Sequence, residues 1–365
     1  MLRLMLILPA IGALLLALAT APARSAGHAE AAKAALVRNA VERVIRPGYA
    51  GLKAEAADMK AAMDRLCEAP GPETLTAARA SFTDLVSAFS RIEFVRFGPV
   101  VEDNRVERLL FFPDRRGTAQ RQIQTILSQK DESATSVEGL TEKSVAVQGL
   151  GALDTVLSGE DAALVSGPDA AFRCRYGRAL AGNVLAIATA LDAAWARDKG
   201  IAGRLMHPDA GDAAYRSTDD ALQEIFGIFI HGLEIVRDLR LKPALGESEV
   251  SAKPGLFLFH RSGNTLASLN GNFAGLQALL EAMDVAPLLP PDEAYTPGSA
   301  DFEFDNARRA LAGLTAPKVE AGLDARQRQG FLYLVIVTAS LQDLFATHIA
   351  PSLGLSAGFS ALDGD

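Results

Sequence analysis

From Ala171 to Lys199, the apolar residues Phe172, Tyr176, Leu180, Val184, Ile187, Leu191 and Trp195 recur at steps of three and four. That period puts them on one side of an α-helix, and so long an apolar stripe has to be buried against other helices. Patterns of the same kind cover residues 29–45, 49–67, 73–94, 118–127, 137–157, 218–241, 265–283, 302–314 and 324–349, whereas the strict alternation of a half-buried strand is scarce. The chain is therefore expected to be all-α, with its helices packed into bundles.

Between these stretches the punctuation is chemical. Pro47 is expected to follow the end of the first helix, Pro113 to start one, and Asp324 with Gln327 has the spacing of a capping box. Residues 331–341 are apolar nearly all round apart from Thr338 and Ser340. A membrane span takes about 20 residues, so this shorter run is expected to fill a core. Residues 200–217 hold Gly200, Gly203, Gly211 and Pro208 but few periodic apolar positions. A domain boundary is placed there, giving one helical bundle over 27–200 and a second over 201–365. The proline-rich stretch 287–298 reads as a loop inside the second bundle.

Arg3, an apolar run from Leu4 to Leu18, and the small residues Ala21-Pro22-Ala23 read as a cleavable secretory signal over residues 1–26, cut after Ala23 or Ala26. No cysteine follows the run to carry a lipid anchor. The expected location is the periplasm or cell envelope. Removing this segment takes away Arg3 and Arg24 and no acid, so the formal charge moves from −8 to −10. An acidic chain without a block of Lys and Arg is ill suited to displacing counterions from phosphates, so nucleic acid is not an expected partner. In an oxidising compartment the two cysteines, Cys67 and Cys174, are expected to pair; the alternative is two buried thiols.

Side chains three apart share a helix face. Glu93 and Arg96 can meet as a surface ion pair or line a pocket. His231 and Glu234 offer an imidazole and a carboxylate to one cation, or are a histidine and an acid with no such role, since a metal site needs at least a third ligand. In Gly149-Leu150-Gly151-Ala152-Leu153-Asp154, the glycines either permit tight packing or leave Asp154 in a polar site. Under the packing reading, a side chain added at Gly151 costs about 1–3 kcal/mol. Asp114 and Arg115 read as a helix-start acid beside a base. Arg261, next to His260, can clamp an anion, while Ser262 binds a ligand or caps the following helix. Nucleophile elbows, His-Glu-x-x-His, phosphate loops and dinucleotide fingerprints are missing. Asp363-Gly364-Asp365 is read as a solvated acidic tail with at most a weak hold on calcium.

Four blocks run in order along the chain: Arg91-Ile92-Glu93-Phe94-Val95-Arg96-Phe97-Gly98-Pro99, Phe111-Phe112-Pro113-Asp114-Arg115-Arg116-Gly117, Arg261-Ser262-Gly263-Asn264 and Gly358-Phe359-Ser360-Ala361-Leu362-Asp363-Gly364-Asp365. As a set they resemble the imelysin family, sometimes called imelysin-like peptidases. Where that family carries Gly-x-His-x-x-Glu, this chain has Gly149, Gly151 and Asp154: the imidazole is absent and the carboxylate is one methylene shorter. The resemblance implies two tandem bundles facing each other across a cleft, lined here by Glu93, Arg96, Gly149, Gly151, Asp154, Arg261 and Ser262, with Phe89 at the place of a wall aromatic. It also implies a binding role at the cell envelope in acquiring iron, another metal or a small ligand. Asp154 with Glu93 would hold a divalent or ferric ion weakly, with His231 and Glu234 as the substitute pair, and an outer-membrane receptor is a candidate partner. The alternatives are a structural partner of such a receptor and a metal-dependent peptidase, which needs a metal to activate water beside a general base. The missing histidine favours binding.

Overall fold

The computed structural model describes residues 27–158, 167, 169–319 and 322–356, so the signal segment and the closing family block lie outside it. Among the described residues there is no strand, only an isolated bridge between Lys318 and Gly322. The main helices are α1 (residues 27–68), α2 (Pro72–Ile92), α3 (Thr118–Gln129), α4 (Leu150–Ser158) and α5 (Ala170–Ala196), followed by α6 (residues 218–245), α7 (Thr265–Met283), α8 (Thr296–Ala312) and α9 (Ala325–Ser352).

Pro47 does not end its helix. The chain widens into a π-turn at Val41–Ile45 and continues as Arg46–Glu68, with the proline at the second position of the resumed α-helix. The same arrangement recurs twice, with Ile235–Leu241 ahead of Pro243 in α6 and Leu344–Ile349 ahead of Pro351 in α9. A proline in a helix has no N–H to give and its ring presses on the carbonyl four residues back. In all three cases that carbonyl, of Arg43, Leu239 or Thr347, lies in the wider turn, which gives the ring room and lets the helix run on. Other boundaries differ from the periodic pattern as well. The stretch read as one helix over 137–157 breaks into Val137–Thr141, Val145–Val147 and α4, and just before α4 the backbone at Gly149 comes so close to Leu109 that it leaves no room for a Cβ. Pro113 lies ahead of α3 without starting it, and Asp324 caps α9 by accepting the Gln327 amide at 2.8 Å.

In the first half α1 packs on α2 and α5, and the end of α1 is tied to the start of α5 by a Cys67–Cys174 disulfide, Cα atoms 5.5 Å apart. The second half is built from α6, α7, α8 and α9. The halves meet where α2 crosses α7. A Cβ at Gly275 would lie 2.1 Å from the Arg91 carbonyl oxygen and one at Gly271 would lie 2.8 Å from the Ser90 Cβ, so these glycines let the backbones close. The apolar core continues through both halves, and the segment read as the boundary contains a helix, Ile201–Met206, with Ile201, Ala202 and Leu205 buried. In α9, Phe331, Leu334, Val337 and Leu341 are core as expected, but Tyr333 and Ile336 point outward, Ile336 at 65% exposure. The helix is one wall of the bundle and not its centre.

Candidate functional site

Between the halves lies a cavity of about 440 Å³. One wall comes from residues 110–123, with Leu110, Phe111 and Phe112 leading into the first turns of α3; the opposite wall is the loop 255–261 ahead of α7 together with Leu239 and Pro243 of α6. Gly149, Gly151, Asp154 and Thr155 line it from α4 and its approach. Most of the lining is apolar, which suits a site that excludes water, with a few polar groups left to fix a ligand's orientation.

Asp154 is the buried charge of this cavity, 4% exposed. Its Oδ1 accepts the Ser262 backbone N–H at 3.1 Å. Burial pushes its carboxyl up to about 6, and the Ser262 hydrogen bond and the nearby Arg261 guanidinium only partly oppose that shift. The loop that carries Ser262 is pinned on several sides: Thr265 donates to the Leu258 carbonyl (2.8 Å), Asn264 to Ser262 Oγ (3.0 Å) and Thr83 of α2 to Asn264 Oδ1 (2.9 Å). Phe259 takes a positive φ of 57°, a conformation a bulky side chain seldom adopts, and packs edge-on against Phe82. Ser262 does not cap α7, whose N-cap is Asn264; it serves the site through Asp154, which its side chain and its backbone N–H both help to ionise.

The two motif glycines differ. A Cβ at Gly149 would lie 2.2 Å from the Leu109 carbonyl oxygen, so that glycine serves packing. A Cβ at Gly151 would meet nothing within 4 Å. The packing cost anticipated at Gly151 therefore does not arise, because the position opens into the cavity beside Asp154. Arg261 is exposed and donates to Gln120 Oε1 of α3 at 2.5 Å, linking the two walls. Asp114 is a helix-start acid, accepting the amides of Thr118 (2.6 Å), Ala119 (2.9 Å) and Gln120 (3.3 Å), while Arg115 lines the cavity and is exposed. His260 also lines it, with Nδ1 3.0 Å from the Phe257 carbonyl oxygen.

Glu93 and Arg96 are not part of this lining. Glu93 is buried and pairs with the buried Arg240 of α6, while Asn272 of α7 donates to its other oxygen at 2.5 Å. Arg240 also reaches Ser268 and Asn272, each at 3.0 Å, and Ser268 meets Ser90 at 2.9 Å. Arg96 is exposed, so the spacing of three does not make the pair; the acid turns inward to a cation 147 positions away. His231 and Glu234 sit in α6, with Nδ1 and Oε2 3.9 Å apart and outside the cavity lining. No group of three or more His, Cys, Asp and Glu placed to hold one ion occurs among the described residues. Periodicity did not reveal Arg240 or the walls at 110–112 and 255–259. Phe111 and Phe112 were visible only as part of a block, and Arg240 carried no local signal.

The molecule is thus an all-α protein of packed helical bundles, with a recessed, largely apolar site between its halves and a single acidic residue left in its motif helix. The family model described as Imelysin, peptidase M75, matches residues 45–343, and the chain belongs to the imelysin family. The fold is similar to the crystal structure of an imelysin-like protein from Psychrobacter arcticum 273-4, with a TM-score of 0.75 and 18% identity, covering 90% of this chain and 98% of that one. It is also similar to a "putative iron-regulated protein A precursor" from Parabacteroides distasonis ATCC 8503, with a TM-score of 0.66 and 14% identity, covering 87% and 95%. No curated protein matches the sequence.

Proposed function

We propose that this protein is an exported imelysin-like binding protein of the cell envelope, which holds a small organic ligand in the cavity between its halves. The observation that carries this reading is the cavity itself: about 440 Å³, mostly apolar, with one buried carboxylate and fixed polar groups around it. The secretory-type segment at residues 1–26 supports export. The iron-regulated description of the P. distasonis protein supports a part in nutrient acquisition.

A resident metal ion does not fit the residues present. Gly151 supplies no ligand, one Asp154 oxygen is taken by the Ser262 amide, and Arg115 and Arg261 place positive charge on the same space. Metal-assisted hydrolysis needs three protein ligands around an open position, so the peptidase alternative lacks its equipment at Asp154. The test is a fluorescence titration of the mature protein with 1-anilinonaphthalene-8-sulfonate, a probe of apolar cavities. Saturable one-to-one binding is expected, lost in Gly151→Trp, which fills the open space while the helical circular dichroism is kept. Equal binding by the two proteins would refute the reading.

A further inference from the structure

Three charged groups of the cavity are not spent on holding the fold. Asp154 is held through Ser262, whose amide donates to Oδ1 and whose side chain also lies beside the carboxylate. Arg261 donates its hydrogen bond to the neutral Gln120 oxygen and stands near Asp154 without an ion-pair contact, and Arg115 has no carboxylate within ion-pair distance among the described residues. Asp114 cannot serve either arginine fully, because both of its oxygens take amides at the start of α3. Gly151, one turn before Asp154, leaves open space next to the carboxylate. The cavity thus presents the Asp154 carboxylate and two guanidiniums amid aromatic walls, with His260 and the Asp114 carboxylate that caps α3 also in its lining.

Resting on the reading of the cavity as a ligand site, we propose that it recognises an apolar zwitterion of amino-acid type. The ammonium sits over Gly151 against Asp154, the carboxylate lies on Arg261 and Arg115, and an aromatic or branched side chain packs against Phe111, Phe112 and Phe257. The charges select for both ends at once. A simple amine would be repelled by the two guanidiniums, and a simple acid by Asp154. Burial also makes the ionised Asp154 costly in the empty cavity, and an ammonium would relieve that cost. A bidentate guanidinium-carboxylate contact supplies the geometric match at the other end.

The experiment is calorimetric titration of the mature protein near pH 7.5 with L-phenylalanine, with phenethylamine, which lacks the carboxylate, and with 3-phenylpropionate, which lacks the amine. Phenylalanine is expected to bind about tenfold or more tightly than either fragment, since each lost charged hydrogen bond is worth at least that factor. Asp154→Asn should weaken phenylalanine and phenethylamine but not 3-phenylpropionate, and Arg261→Gln should weaken phenylalanine and 3-phenylpropionate but not phenethylamine. Phenylpropionate binding as tight as that of phenylalanine, or failure of phenylalanine to bind, would overturn the ligand class. If the fluorescent probe still binds wild type and not Gly151→Trp in that case, the cavity reading survives; if the probe ignores Gly151→Trp, both fail. Arg261→Gln changes an exposed side chain, so its result holds even if the Asp154 variant does not fold.

Discussion

Asp154 sets burial against charge, and stability should record the conflict as a pH dependence. Its carboxyl titrates near 3.8 when unfolded and is pushed up to about 6 in the folded protein. Between those values the folded state binds more protons than the unfolded one, so this residue's contribution is fully present below about pH 4 and lost as pH rises through about 6, up to about 3 kcal/mol in all. Asp154→Asn keeps an oxygen for the Ser262 amide and removes the charge. Urea unfolding should find the variant more stable than wild type by about 1–3 kcal/mol at pH 8 and close to it at pH 4. The neighbouring glycines give an opposite pair. Gly149→Ala should cost about 3 kcal/mol, because its Cβ would meet backbone that cannot swing away, whereas Gly151→Ala should leave stability unchanged or raise it by about 0.5–1 kcal/mol. Sequence placed both glycines in the motif but could not tell them apart, because the distinction lies in what stands opposite each Cα. Glu93 shows the same limit, since helical spacing offered Arg96 while the fold supplies Arg240.

At the scale of elements, periodicity read nearly every long helix, because each must bury one face. It missed how helices survive their prolines. The rule that proline ends a helix gave way at Pro47, and the same π-turn precedes Pro243 and Pro351. In α6 the irregular segment carries Leu239, which lines the cavity, and Arg240, which enters the buried network beside Glu93. That network holds α2, α6 and α7 together, and it should behave as a unit. Glu93→Ala strands a buried guanidinium and is expected to cost about 3–5 kcal/mol in urea unfolding. Glu93→Leu combined with Arg240→Met should cost well under the sum of the two single changes, and additive costs would show that the pair is not coupled.

For the whole molecule, the all-α architecture was legible from the stripes, and the cavity was legible in part. Asp154, Gly151, Arg261 and Ser262 do come together, from segments 108 positions apart, while Glu93 and Arg96 belong elsewhere. The cavity walls escaped because loop residues carry no period. The Cys67–Cys174 bridge, with a sequence separation of 107, constrains the unfolded chain across most of the first half. Its reduction should lower stability by about 4 kcal/mol, read from urea unfolding with and without a phosphine reductant. If the space between the halves is a ligand site, it should hold an organic molecule. Native mass spectrometry of the protein, gently extracted from the cells that make it, reads this when wild type is compared with Gly151→Trp. Wild type is expected to carry one small organic molecule, released on activation, and Gly151→Trp none. An identical mass excess in both proteins, or an excess in wild type made up only of metal ions, would contradict it.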